Sequence, residues 1–279
     1  MTTATPTAAP ESTTTGDSSR RGSLLAAVTV AEWTKLRSVR STMWALAITI
    51  GITVGFGSLF CFAFSARYDR LDPKERLTVD PTVLSLRGLF LSTLALGVLG
   101  VLVMSSEYAS GMIRATLAAV PQRRTLLAAK AIVFGAVAMV ISMGSAFAAF
   151  GAGQAILAHK HLGTSLTDPT VRRAVFGAGI YLTIVGLLGL ALGAILRRTA
   201  GAIATLVALV FIAGLLAQAL PSPWNDDVSK FLPGIAGLAL FSVRPDPARV
   251  TPGAALIVLL AWLAASFTGA AILIARRDA

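Results

Sequence analysis

The sequence predicts an all-α membrane protein in which six helices cross the bilayer. The chain is 55% hydrophobic and only 13% charged, and six long stretches contain no charged residue at all. A hydrocarbon core about 30 Å thick takes about 20 apolar residues of helix, and only elements that satisfy their own backbone hydrogen bonds can cross it. The predicted spans are residues 43–66, 88–106, 131–158, 174–196, 199–220 and 250–275.

The net charge of +11 does not indicate a nucleic-acid partner. The basic residues bracket the spans instead of forming one face: Arg40 and Arg67 flank the first span, and Arg276 and Arg277 follow the last. One such charge at a helix centre costs about 2.5–3.5 kcal/mol on insertion scales. Their positions therefore mark the membrane boundaries.

The chain divides into a tail and one membrane domain. Residues 1–22 are rich in Thr, Ala, Pro and Ser, a composition typical of disorder, and we expect a disordered cytoplasmic tail there. Residues 23–279 then form the six-span domain. An even number of spans puts both termini on one side, and the weak excess of basic residues on that side predicts a multi-pass protein of the cell membrane with both termini cytoplasmic.

Two glycine pairs predict close contacts between helices. Gly51 and Gly55 lie in the first span, and Gly189 and Gly193 lie in the fourth. Small residues four positions apart let helix backbones approach closely in membranes.

The segment before the first span, residues 24–41, predicts an interfacial helix. At 100° per residue its apolar side chains fall on one arc, which Glu32 and Lys35 interrupt. Trp33 suits the level of the lipid headgroups.

The segment between the second and third spans predicts a short helix at the membrane surface. With Ser106 as N-cap and Glu107 in the first turn, we expect a helix over residues 107–119 that Pro121 ends. An ordinary basic loop is the alternative.

An apolar run outside the spans, residues 231–243, is too short to cross the bilayer. Runs of this length are typical of re-entrant or interfacial segments. Pro233, Gly234 and Gly237 predict a bent, partly inserted element instead of a straight helix. The alternative is a lid over the outer mouth of the helix bundle.

The sequence contains no catalytic motif. It has no G-x-x-x-x-G-K-[ST] loop for nucleotide phosphate and no H-E-x-x-H. Its two histidines, His159 and His161, are expected to be solvated loop residues, so we predict no metal site. The lone Cys61 excludes an intramolecular disulfide. The predicted spans also lack the ionisable residues of a proton relay, so any transport would draw its energy from outside the chain.

Three segments resemble bacterial ABC-exporter permeases of the drug and antibiotic export class. They are residues 32–44 (EWTKLRSVRSTMW), 107–130 (EYASGMIRATLAAVPQRRTLLAAK) and 230–240 (KFLPGIAGLAL). The order of the lead-in helix, the six spans and the outside excursion is also similar over essentially the whole chain. Its Ala, Gly and Arg content is similar to that of actinobacterial members.

The resemblance implies a permease subunit whose ATPase is a separate chain. ATP and Mg would then bind that partner, with no cofactor on this chain, and the permease would pair with a second copy or a sister permease. The short helix after the second span would act as the coupling helix that docks on the ATPase. The implied docking residues are Glu107, Tyr108, Gly111 and Arg114, with Arg123 and Arg124 in support and with Glu32 and Lys35 making secondary contacts.

The substrate class follows from the apolar spans. A pathway without fixed charge suits an apolar or amphipathic cargo, so we expect an exporter subunit, not an enzyme. The alternative from another class is a membrane-embedded sensor or assembly subunit that binds a cytoplasmic partner without transporting. A self-powered secondary transporter and an intramembrane enzyme are less compatible with the charge-free spans.

Overall fold

The computed structural model describes residues 14–72, 76, 79–120, 122–219, 221, 227–244 and 249–276. Within these residues the secondary structure is entirely helical. The helices are α1 (Thr14–Ser38), α2 (Arg40–Arg67), α3 (Pro81–Ser85), α4 (Leu89–Ala109), α5 (Met112–Ala119), α6 (Arg123–Ala158), α7 (Pro169–Leu196), α8 (Thr199–Val207, continued by the π-helical Ala208–Ile212 and by Ala213–Gln218), α9 (Pro233–Phe241) and α10 (Pro252–Arg276).

The predicted fold class is confirmed. Among the described residues, six helices are long and apolar enough to cross a membrane, namely α2, α4, α6, α7, α8 and α10. They correspond in order to the six predicted spans.

Two helices begin earlier in the chain than the sequence predicts. Residues 14–22, expected to be part of a disordered tail, form the first turns of α1, while residues 1–13 lie outside the described part of the chain. Helix α6, which contains the third predicted span, begins at Arg123, well before residue 131. Lys130, the charged residue that limited the predicted span, is buried within this helix and paired with two carboxylates. Pro121 and Arg277 lie outside the described residues.

Helix α7 is the centre of the bundle. In the most apolar 18-residue stretch of α7, 78% of the residues are buried, whereas only 17% are buried in the corresponding stretch of α10. Its glycines lie directly on α4: a Cβ added to Gly189 would lie 2.2 Å from the carbonyl oxygen of Gly97, and one added to Gly193 would lie 2.8 Å from that of Val101. The predicted contact is confirmed for this pair, because the two backbones leave no room for a side chain.

The other glycine pair makes no such contact within the described chain. A Cβ added to Gly51 or Gly55 would meet no described atom within 4 Å. Any close contact of these two glycines would therefore lie outside the described part of this chain.

The apolar run after α8 differs from the prediction, because Pro233, Gly234 and Gly237 all lie within one uninterrupted helix, α9, with extended Leu232 before it. Helix α9 follows a 3₁₀ turn at Ser229–Phe231, and Pro233 occupies its first turn. At the C-terminal end of α9, the carbonyl oxygens of Leu240 (3.3 Å) and Ser242 (2.9 Å) accept hydrogen bonds from the guanidinium of Arg173 on α7. On α10, Trp262 Nε1 donates to the carbonyl oxygen of Phe231 at 2.9 Å.

Helix α3 was not foreseen by the sequence analysis. The carboxylate of Asp80 caps it by accepting hydrogen bonds from the backbone N–H groups of Thr82 (2.8 Å) and Val83 (3.3 Å). Gln154 Nε2 on α6 donates to Ser85 Oγ at 3.1 Å. These bonds hold the connection between α2 and α4 against α6.

The contact between α4 and α7 predicts a large effect of one methyl group. Gly189→Ala should lower the stability of the purified protein by about 1–3 kcal/mol, because overpacking outweighs the gain in helix propensity. Gly144→Ala is the matched control, since a Cβ at Gly144 would meet no described atom within 4 Å. Thermal unfolding in detergent, followed by size-exclusion fluorescence, measures both variants. Equal melting temperatures for the two variants would contradict this close packing of α4 and α7.

Candidate functional site

One end of the bundle gathers the termini of helices that are distant in the sequence. At the start of α6, Arg123 Nη1 donates to the carbonyl oxygen of Ile274 near the end of α10, at 3.0 Å. The guanidinium of Arg197, just after α7, lies 5.1 Å from the ring centroid of Tyr108 near the end of α4. We refer to this region as the α5 end, because α5 lies within it.

Helix α1 packs against this end through its apolar arc. Val28 forms a buried cluster with Ile113 of α5 and with Leu126 and Ala129 of α6. The other side of α1 is exposed, including Trp33 at 47%. The predicted lead-in helix therefore exists, and its apolar arc contacts protein.

A buried charge cluster joins α1, α4 and α6, and its four members are Glu32, Lys35, Glu107 and Lys130. Lys130 Nζ lies 2.7 Å from Glu32 Oε2 and 2.5 Å from Glu107 Oε1. Lys35 Nζ also donates to Glu107 Oε1. Glu107 is 1% exposed, Lys130 2% and Glu32 8%. Lys35 is partly exposed, with 31% of its side-chain surface accessible.

The cluster explains why a carboxylate can occupy the last turn of a helix. Helix α4 continues to Ala109, so Glu107 lies in its C-terminal turn, where the helix dipole disfavours negative charge. The ammonium groups of Lys35 and Lys130 offset that cost. The predicted helix start at Glu107 is therefore wrong, as is the predicted N-cap role of Ser106.

The turn between α4 and α5 is made by glycine. Gly111 has a φ of 70°, in the left-handed region where a side chain is strained. This residue lets the chain reverse after Ala109 and begin α5 at Met112. The short helix was predicted, but its start is corrected from residue 107 to residue 112.

Helix α5 has one packed face and exposed residues beside it. Ile113 is 4% exposed and lies in the cluster with Val28. Met112 and Arg114, which flank Ile113 at about 100° on either side around the helix, are exposed together with Gly111, Met112 by 46%. We call these three residues the α5 face; Arg124, at the start of α6, is exposed as well.

The predicted docking residues thus separate into two groups. Gly111, Arg114 and Arg124 are exposed, whereas Glu107 is buried and does not lie on a surface where a docking protein would contact it. Tyr108 is half-buried beneath Arg197, and Arg123 is half-buried with its bond to Ile274.

Sequence reasoning missed Lys130 and Met112 as members of this region. A signal for the charge cluster was present, since Glu32 and Lys35 interrupt the apolar arc of α1. Charges on an otherwise buried face require partners, and Lys130 and Glu107 are those partners. Nothing in the sequence marks Met112, whose exposure depends on the turn at Gly111.

A cavity of about 280 Å³ lies beside the charge cluster. All four charged residues line it, together with apolar side chains that include Val39 and Leu102. Its walls come from α1, α2, α4 and α6, together with Val39 between α1 and α2. Among the described residues, no group of three His, Cys, Asp or Glu side chains could hold a metal ion.

These features define a polytopic helical membrane protein with a short helix held at one end of its bundle. The sequence model for ABC-2 family transporter proteins matches residues 29–216, more than half of the chain. The chain belongs to the ABC-2 transporter family and is a permease component of an ABC transporter. A search of curated proteins finds no match.

The charge cluster predicts that one lysine is critical for stability. Lys130→Met should cost about 3–5 kcal/mol, because it leaves Glu107 and Glu32 buried without the ammonium they share. Lys160→Met is the matched control, since it breaks an exposed ion pair with Asp69 and should leave the melting temperature unchanged. Thermal unfolding of the purified proteins distinguishes the two, and equal losses would show that the cluster does not hold the helices together.

Proposed function

We propose that the chain is the membrane subunit of an ATP-driven exporter and that a separate ATPase docks on the α5 face. One observation carries the proposal. Helix α5 is anchored by Ile113 and leaves Arg114 and Met112 exposed on either side of that residue. A short helix held in this way suits the transfer of motion from a partner to the bundle.

The contacts around α5 provide the route for that motion. Ile113 packs on Val28 and Leu126, so a displacement of α5 acts directly on α1 and α6. The charge cluster ties the end of α4 to the same two helices. Closure of the ATPases on ATP would then turn the bundle as a unit between inward- and outward-facing states.

The predicted site residues take distinct roles in this proposal. Gly111, Arg114 and Arg124 contact the ATPase, while Tyr108 and Arg123 support the end of the bundle. Glu107, Glu32 and Lys35 act as positioning residues, because the charge cluster occupies their side chains. This differs from the role in direct docking that the family resemblance implies for Glu107.

The complete transporter would contain two permease subunits and two ATPase subunits. ATP and Mg would bind the ATPase chains, and the permeases would form a homodimer or pair with a sister permease. The assembly would lie in the cell membrane with the α5 end in the cytoplasm, where the ATPase is available. This arrangement rests on the family membership and on the proposed docking face.

The proposed cargo is apolar or amphipathic, as for drug export. The charges of the buried cluster lie at one end of the bundle and are mutually paired. The predicted spans contain no charged residue along their length, and such a pathway imposes the lowest desolvation cost on an apolar molecule.

The docking proposal predicts that Arg114→Glu uncouples the permease. The substitution reverses the charge of an exposed residue without touching the packed side of α5, so the protein should reach the membrane normally. Co-purification of a P-loop ATPase from mild-detergent extracts should fall at least tenfold, and export of a test amphiphile should be lost. Arg172→Glu, an exposed position at the start of α7, is the control and should retain both activities.

Two outcomes would contradict the proposed function, the first its docking site and the second its transport activity. Full co-purification and export with Arg114→Glu would remove the α5 face as the docking site. Retention of the ATPase without any export activity in the wild-type protein would favour the sensor or assembly subunit.

The proposed orientation predicts opposite labelling of two cysteines. Cys61 is the single cysteine of the sequence and is buried. The substitution Cys61→Ser therefore gives a background without a native thiol. In that background, Ala115→Cys on α5 and Thr167→Cys before α7 each place one thiol at an exposed position. A membrane-impermeant maleimide applied to intact cells should label position 167 and should label position 115 only after permeabilisation. The reverse pattern would place the α5 end outside the cell.

A further inference from the structure

Glu107, one of the residues that line the cavity beside the charge cluster, has a buried carboxylate oxygen without a described partner. Glu107 Oε1 accepts hydrogen bonds from both Lys35 and Lys130. In the described part of the chain, Oε2 of the same carboxylate is buried and has no hydrogen-bond partner. Because an ionised carboxylate only accepts hydrogen bonds, this oxygen calls for a donor from a molecule other than the described chain.

The shape and chemistry of the cavity indicate an amphipathic donor. Glu107 is one of the lining residues, and the volume of about 280 Å³ exceeds that needed by one water molecule. Val39 and Leu102 also line it and are exposed by 41% and 40%, so the cavity opens between apolar side chains. A ligand with a polar head and an apolar tail matches both the charged lining of the cavity and its apolar opening.

The charge of the cluster selects a zwitterionic head. The two lysines and two glutamates sum to zero formal charge, so a bare cation or anion would add an uncompensated charge at a poorly hydrated site. A head that carries one ammonium and one phosphate adds none. Lys35, with 31% of its side chain exposed, retains N–H donors for the phosphate beyond the one it gives to Glu107.

We propose that this cavity binds the headgroup of an aminophospholipid such as phosphatidylethanolamine. The lipid ammonium donates to Glu107 Oε2, the phosphate accepts from Lys35, and the acyl chains leave along Val39 and Leu102. This site is distinct from the proposed docking face, and its occupancy does not depend on transport. The primary ammonium is required, because the trimethylammonium of phosphatidylcholine has no N–H to donate.

Lipid-dependent thermal stability tests the proposal. The purified protein is titrated in detergent with phosphatidylethanolamine or with phosphatidylcholine of the same acyl chains. We expect phosphatidylethanolamine to raise the melting temperature by about 5 °C more than phosphatidylcholine, since a ligand that binds only the folded state stabilises it.

Two variants on one helix locate the effect. Leu102→Trp fills the mouth of the cavity and should abolish the difference between the two lipids. Leu94→Trp is the matched control, because Leu94 lies on the same helix with a similar exposure of 37% and does not line the cavity. It should preserve the difference. Glu107→Gln keeps the side-chain size but removes the carboxylate. Like Leu102→Trp, it should abolish the difference between the two lipids if the variant folds.

The remaining outcomes decide against the lipid. Equal melting temperatures in the two lipids would mean that water alone satisfies Glu107 Oε2 and would overturn the proposal. Stabilisation by dodecylamine without stabilisation by phosphatidylethanolamine would assign the cavity to a cationic amphiphile, such as a cargo molecule. Loss of the lipid difference in Leu94→Trp as well would show that the effect comes from bulk lipid.

Discussion

A lysine ammonium held away from water is the constraint on which the α5 end depends. Lys130 is 2% exposed, and its charge is tolerable only because carboxylates from two other helices reach it. Glu32 belongs to α1 and Glu107 to α4, so the requirement for charge compensation fixes three helices at one point. The turn at Gly111 starts from this point, which sets the position of α5 and of its exposed Arg114.

A second constraint operates along the centre of the bundle. Helices α4 and α7 lie so close at Gly100 that a Cβ there would be 2.0 Å from the carbonyl oxygen of Gly186. At the end of the bundle opposite the α5 end, α9 approaches the π-helical turn of α8 just as closely. A Cβ on Gly234 would lie 2.0 Å from the carbonyl oxygen of Val210. Because packed interfaces of this kind are not continuously deformable, a displacement at α5 would move helices as units.

The proposed coupling route and the proposed lipid site share one side chain. Oxygen Oε1 of Glu107 holds the two lysines, and Oε2 is the oxygen that remains for a ligand. A lipid bound there would therefore stabilise the residue that positions α4 relative to α1 and α6. Through this carboxylate, the composition of the membrane could bias the conformation of the transporter, provided that the two conformations bind the lipid with different affinities.

The sequence by itself determined the six spans, the lead-in helix and the short helix after the second span. Hydropathy is a local property, so charge-free apolar stretches are sufficient to predict the spans, whereas the start of the short helix at Met112 depends on the turn at Gly111. Only the tertiary structure decided that Glu107 is enclosed while Arg114 is exposed, and that Gly189 meets α4 while Gly51 meets no part of the described chain. These outcomes depend on which helices become neighbours, and the pairing of Lys130 with Glu32 joins residues on helices that are far apart in the chain.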